Sequence, residues 1–409
     1  MTMSRILLVE QNLQLQQQIT EILGANGYTV VICKDLATAT MLELTEKFNL
    51  AILNTDSDPN NIIDSVFKLQ QQQPELPVLM LVDYPAIEKA VLATQAGAVD
   101  YLVKPFMPEG LLNLIRRHAI HAVAETNTPV VEAKSMRLML NLACKVAKSS
   151  VKVLISGETG SGKKTMARYI HAASMVSDGA FITINCASSH ADVLESVLFG
   201  YKRKNSSGVV EEFPGKLELS HNGTVVLDEI AELPMALQDK LLTIFRERVI
   251  RIADREKVIP LKARIIATTS KDLHQEVRAG NFNEDLYFML SIFPIKLPSL
   301  KDRKEDVIPL AEIFLQKYAV EHNVALAKLT DEAMQYLVKR TWTNNINELK
   351  IVLGMAVRIA VNGIITPQDL TSAEFDELSI VTNSATNNTT GAKDLTQNNT
   401  AKVRKSHAK

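Results

Sequence analysis

Residues 151–164 read VKVLISGETGSGKK. The apolar run Val151 to Ile155 is a strand, the glycines that follow form a loop, and TMARYIHAAS after Lys164 has helical spacing. Strand, glycine loop and helix in that order make a phosphate cradle. Gly157, Gly160 and Gly162 permit the tight path that turns backbone N–H groups of the Glu158, Thr159 and Ser161 segment toward phosphate oxygens, and the helix behind adds its positive end. Lys163 is placed to reach the β- and γ-phosphates. Lys164 stands where many such loops carry the Ser or Thr that binds the metal, so that inner-sphere contact is missing.

A glycine-rich match alone arises by chance, but a second motif lies downstream. VVLDEI, Val225 to Ile230, is an apolar strand that delivers Asp228 and Glu229 to its end. Two solvated acids ending a strand is the plain alternative; beside the loop, the pair reads as Asp228 holding Mg²⁺ through water and Glu229 polarising the attacking water. ATP with Mg²⁺ is the cofactor these residues predict.

Upstream, the first 120 residues alternate short apolar runs with helical stretches. Strands fit Arg5 to Val9, Thr29 to Cys33, Leu50 to Leu53, Pro77 to Val82 and Tyr101 to Lys104. Helices fit Leu13 to Leu23, Leu36 to Thr45, Ile62 to Gln72, Ile87 to Gln95 and Pro108 to Ala119. This is the rhythm of a parallel sheet covered on both faces. Ligands of such sheets sit at the carboxyl ends of the strands, which gathers Glu10, Gln11, Asn54, Val82 and Lys104. Phosphorylation there needs a carboxylate nucleophile, further carboxylates for a divalent ion, a hydroxyl and a lysine, and only part of that set is present.

With 409 residues the chain exceeds one ordinary core. The organisation read from it is 1–120, first α/β domain; 121–134, linker broken by Pro129; 135–306, nucleotide-binding α/β core; 307–370, helical lid; and 371–409, a tail rich in Asn and Thr and too poor in apolar residues to order itself. A formal net charge of −1 argues against a domain-wide field for nucleic acid. Cys33, Cys144 and Cys186 make no metal or disulfide spacing, no signal segment opens the chain, and no apolar run approaches the ~20 residues of a membrane span. A cytoplasmic protein is expected.

Two sets of motifs carry a resemblance. ILLV, NLAILN, PVLML and AGAVDYLVKPF resemble response-regulator receiver domains, which implies a flavodoxin-like fold. ESVLFG, NGTVVLDEIAELP, LQDKLLTIFRER, ARIIATTSKDL, FNEDLYFMLSIFPIKLPSLKDRKEDV and WTNNINEL resemble the AAA+ domain of sigma-54-dependent, NtrC-type activators over roughly residues 135–370. The resemblance implies α/β architecture throughout, a receiver followed by a P-loop AAA+ domain with a helical lid. It also brings out departures. In the receiver, Asn54 stands where the phosphorylated aspartate is expected, Val82 replaces a hydroxyl residue, Gln11 replaces one of two acids, and Lys104 is kept. Asp56, two residues on, is roughly 6–7 Å along the same strand face and a poor substitute. In the AAA+ part the sigma-contact loop becomes KNSSGV, Lys204 to Val209, with Ser206 and Ser207 at its contact positions. The two arginines offered to a neighbour's ATP become Asn283 and Met289, the lid arginine becomes Asn347, and the sensor asparagine becomes Ser270.

An arginine finger contributes ~10³ to 10⁵ in rate, about 4 to 7 kcal/mol, so these losses predict an ATP-binding regulator with weak or no hydrolysis of its own. Arg278 and Arg303 are the nearby cations, and Arg303 also matches a position of the resembled family, so its presence is expected rather than compensatory. Expected partners are a homo-oligomer or a mixed oligomer with related AAA+ activators, and a signalling protein. After Leu370 no pair of amphipathic helices follows, and Lys402, Arg404, Lys405 and Lys409 are scattered, so sequence-specific DNA binding is not expected. The opposing expectations are an active sigma-54 activator, from the intact Gly157 to Lys163 loop and Asp228–Glu229, and a scaffold that has lost nucleotide binding.

Overall fold

The computed structural model describes residues 5–43, 47–54, 64–66, 68–70, 73, 76–83, 94, 97–119, 129–187, 191–204, 210–250, 258–322 and 325–372. Asp56, the centre of KNSSGV and the tail beyond 372 lie outside them.

The N-terminal strands form where the apolar runs predict. β1 (Arg5–Val9), β2 (Thr29–Cys33), β3 (Leu50–Asn54), β4 (Val78–Asp83) and β5 (Asp100–Lys104) make one parallel sheet in the order β2-β1-β3-β4-β5. That is the flavodoxin-like order, with its switch point between β1 and β3. Period-2 alternation sends Ile6 and Leu8 to one face, under Ile19, Leu23, Leu111 and Ile115 from the helices Leu13–Gly24 and Pro108–Ala119. Leu7, Val9, Met80 and Val82 face the other way, into a buried cluster that continues into the second α/β layer.

The second parallel sheet is built from β6 (Val153–Ser156), β7 (Phe181–Asn185), β10 (Thr224–Asp228), β11 (Arg264–Thr269) and β12 (Phe293–Lys296), in the order β12-β6-β11-β10-β7. In the chain between β7 and β10 comes a separate antiparallel hairpin, β8 (Gly200–Lys204) with β9 (Val210–Pro214). Tyr201 and Phe213 face each other across it, their rings stacked 4.7 Å apart. The receiver-like domain meets this hairpin: the Tyr201 hydroxyl donates to the Asp64 carboxylate, and Lys68 Nζ lies 5.4 Å from the centre of the Phe213 ring.

The chain divides into two compact units at Pro298/Ser299. The second is helical, with Val307–His322 packed on Asn345–Ile359 and Asp331–Lys339. Trp342 is 2% exposed and anchors this unit, its indole N–H donating to Leu337 O at 3.1 Å. Asn345 takes a positive φ of 52° and its side chain accepts from the Leu300 N–H at 2.7 Å, which fixes the entry to the long helix. Among the described residues no helix is long and apolar enough to cross a membrane.

Candidate nucleotide site and receiver pocket

The loop after β6 opens at the carboxyl end of the second sheet. Gly160 and Gly162 have φ of 76° and 98°, a left-handed path that costs any other residue strain. Gly162 is the N-cap of the helix Lys163–Ala172 and, being glycine, has no side chain to cap its first turn. First-turn N–H groups of this helix thus face the loop as anion donors. This donor set fits a phosphate chain.

Lys163 is 6% exposed and its Nζ gathers the loop: it donates to Gly157 O at 3.0 Å, Glu158 O at 3.3 Å and Ser270 Oγ at 2.7 Å, and lies 3.0 Å from Glu229 Oε1. Ser270, at the end of β11, holds Glu229 from both sides, its hydroxyl donating to Oε1 at 2.6 Å and its N–H to Oε2 at 2.8 Å. Thr159 Oγ1 is 3.2 Å from the same hydroxyl. Burial works against ionisation of Glu229, but the Ser270 hydroxyl and N–H and the Lys163 ammonium outweigh it, so its carboxyl lies below the ordinary range. Glu229 itself sits at φ 52°, the left-handed region, immediately after the strand that carries it. Ser161 is fully buried inside the loop.

Asp228 is 6% exposed, and both of its oxygens are engaged: Thr268 Oγ1 donates to Oδ1 at 2.6 Å and Lys164 Nζ lies 2.9 Å from Oδ2. The sequence reading has Asp228 hold Mg²⁺ through water; here its Oδ2 faces the Lys164 ammonium, and the residue after Lys163 brings a cation in place of a hydroxyl. The donor set suits a nucleotide, while Lys164 occupies the side of Asp228 that a hydrated divalent ion would approach. Thr268 was not picked out from sequence. Its signal lay in the sheet register: Leu227 pairs with Ala267, which brings the next residues of the two strands together.

The predicted substitutions are structural parts of the domain. Asn283 caps the helix Glu284–Leu290, accepting from the Leu286 N–H at 3.0 Å while its Nδ2 donates to Asp239 Oδ1 at 2.8 Å. Met289 packs against the buried core. Arg303 is 2% exposed beside Asp306, so it is no mobile cation, and Arg278 is exposed at the end of a short helix. In the second unit Asn347 is exposed on the first turn of Asn345–Ile359.

In the receiver-like domain Asn54 is the centre. Its Nδ2 donates to Glu10 Oε2 at 2.7 Å and its Oδ1 accepts from Lys104 Nζ at 2.9 Å. Asn54 thus stands between Glu10 and Lys104, and Lys104 pairs with Asp83 at 3.0 Å. Asp83 was also missed, although it lies opposite Lys104 in the β4–β5 register. Val82 is buried and Gln11 points to solvent. The cleft above holds about 650 Å³ and is lined by Asn12, Leu15, Asn54, Asp83, Lys104 and Phe106.

Residues 6–116 match the response regulator receiver domain, 130–296 the sigma-54 interaction domain and 301–387 the AAA+ ATPase lid domain. The response regulator protein FleR of Pseudomonas aeruginosa is 38% identical over 90% of this chain and 78% of its own length. The chain belongs to the sigma-54-dependent response-regulator family. PilR of the same organism is 31% identical over 91% of this chain and 85% of its own length. Among solved structures, this family member is similar to NtrX from Brucella abortus in complex with ADP, with 26% identity, a TM-score of 0.55 and coverage of 90% of this chain and 86% of that one. The NtrX complex with ATP gives a TM-score of 0.54.

Proposed function

We propose that this family member binds ATP or ADP at the Gly157–Lys164 loop and modulates transcription by assembly, as a subunit that turns ATP over slowly by itself. The observation that carries the reading is Asn283: the position expected to offer an arginine to the neighbouring subunit is a neutral helix cap tied to Asp239. Without a cation at the terminal phosphate, charge that develops in phosphoryl transfer goes unmet. Glu229 and Lys163 are in place, so the subunit remains a competent receiver of arginines from an active relative in a mixed ring. The receiver-like domain serves as a constant docking element, since Asn54 offers no carboxylate to phosphorylate and its face toward the β8–β9 hairpin is held by Tyr201 and Lys68.

A second reading, an active sigma-54 activator, is favoured by the Lys163–Ser270–Glu229 arrangement and by the 38% identity to FleR. Steady-state turnover by the purified chain, alone and mixed with a competent family member, separates the two. Slow turnover alone with accelerated turnover in the mixture supports mixed assembly. Ordinary turnover by the lone protein, lost in Glu229→Gln, establishes the activator. Failure to bind nucleotide leaves a scaffold.

A further inference from the structure

The Asp228 site is built around a cation that belongs to the chain itself. Lys164 follows Lys163 on the first turn of the helix Lys163–Ala172, at the place where a metal-binding hydroxyl is usual in such loops. Its side chain crosses from an exposed stem, 63% accessible, to put Nζ 2.9 Å from the Oδ2 of an 8% accessible carboxylate. Thr268 fills the other oxygen from the neighbouring strand. The paired groups are therefore two ammoniums, Lys163 and Lys164, and two carboxylates, Glu229 and Asp228, with no net charge among the four. A hydroxyl at position 164 would leave the same set one unit negative, a deficit that a divalent ion ordinarily cancels when a polyphosphate arrives.

We infer that the Lys164 ammonium takes the place of the divalent cation, so that this loop binds nucleoside di- and triphosphates free of metal. The inference rests on nucleotide binding by the loop. On arrival of a polyphosphate, Lys164 stays within reach of both Asp228 and the nearest phosphate oxygens, as a charge-assisted donor to each. It neutralises the phosphate chain while offering none of the ligand-orienting geometry that a metal brings. A site made this way holds nucleotide in any magnesium concentration.

The test is equilibrium binding of a fluorescent ADP analogue by the full-length protein, in saturating Mg²⁺ and in EDTA, for the wild type, Lys164→Thr and Lys164→Gln. Wild-type affinity should change by less than about threefold between the two buffers. Lys164→Thr, which supplies the hydroxyl, should bind about tenfold or more tighter with Mg²⁺ than in EDTA, and Lys164→Gln should weaken by about tenfold in EDTA. Wild-type binding that collapses in EDTA, or a wild-type ADP complex that immobilises Mn²⁺ in its paramagnetic resonance spectrum, would overturn the inference while leaving nucleotide binding intact. Absence of binding by all three proteins in both buffers overturns the nucleotide reading, and this inference with it.

Discussion

Asn54 and Lys104 are joined by a 2.9 Å hydrogen bond, with the lysine donating to the side-chain carbonyl at the spot where a receiver would present its phosphorylated carboxylate. The other end of the amide holds Glu10, which is 1% exposed, and Glu10 in turn accepts from the Asn12 N–H at 2.8 Å. Neutral Asn54 therefore satisfies a cation and an anion at once.

Removing that amide should be felt in stability before any signalling assay. Asn54→Ala leaves the buried Glu10 carboxylate short of a donor, a loss of about 1–3 kcal/mol. Denaturant unfolding of wild type and variant measures it. Asn54→Asp should also fail to give stable phosphorylation by a small acyl phosphate, read by intact-protein mass, because Val82 still lacks the hydroxyl and Gln11 still lacks the second acid. A stable adduct in the Asp variant would show that the pocket needs only its nucleophile.

Asn283 poses the opposite trade. Asn283→Ala should lose the helix cap at a cost of ~0.5–2 kcal/mol, visible as a lowered denaturation midpoint. Asn283→Arg combined with Met289→Arg should cost at least as much, since Met289 also leaves the core. In the self-assembled protein that double variant should nonetheless raise ATP turnover by about tenfold or more, given the cationic stabilisation it restores. An unchanged rate would mean that missing arginines are not what limits this subunit.

Most of both parallel sheets was legible from the chain, and the reason is physical. Runs such as RILLV and TVVLD are apolar beyond what a half-exposed strand needs, and β1 and β10 are indeed buried along nearly their whole lengths. The placement of Asp228, Glu229 and Ser270 was legible too, because each sits at the carboxyl end of a strand or just past it, and that of Lys163 because a glycine loop leads from β6 to its helix. Partnership was not legible. Asp83 reaches Lys104, and Thr268 reaches Asp228, across strands far apart in sequence, and only the register of neighbouring strands sets those distances. The same blindness hid Lys164: sequence marks it as a lost hydroxyl, and only the fold shows where its ammonium goes.

Glu229 gives a pH prediction with a definite sign. Its carboxyl is held below the ordinary value of 4.5 despite burial, through Ser270 and Lys163. The stability this supplies is complete above about pH 4.5 and is lost as the pH falls through the lower folded-state value. Unfolding free energies of wild type and Glu229→Gln should therefore differ most near neutrality and converge in acid. Parallel curves across that range would remove the ionised Lys163–Glu229 pair from the account.

Lys216 sends its charge the other way. It opens the short helix Lys216–Leu219 after β9, and its Nζ lies so close to Gly97 of the receiver-like domain that an added Cβ there would stand 3.0 Å from it, with Gln70 alongside. Burial pushes its ammonium down from 10.5 to about 8, even though part of the stem still reaches solvent. Because the folded value is below the unfolded one, the unfolded chain holds the extra proton between those limits. Folding thus carries its full penalty below pH 8, and the penalty fades as pH rises from about 8 to 10.5. Lys216→Met should stabilise the protein at pH 7 by up to about 3 kcal/mol, less where the stem still reaches solvent, with that gain shrinking toward zero by pH 10.5. Urea unfolding of both proteins at several pH values supplies the measurement. A variant less stable than wild type at pH 7 would mean that the ammonium has a partner worth more than its burial costs, and that the junction between the receiver-like domain and the hairpin is held by charge instead of packing.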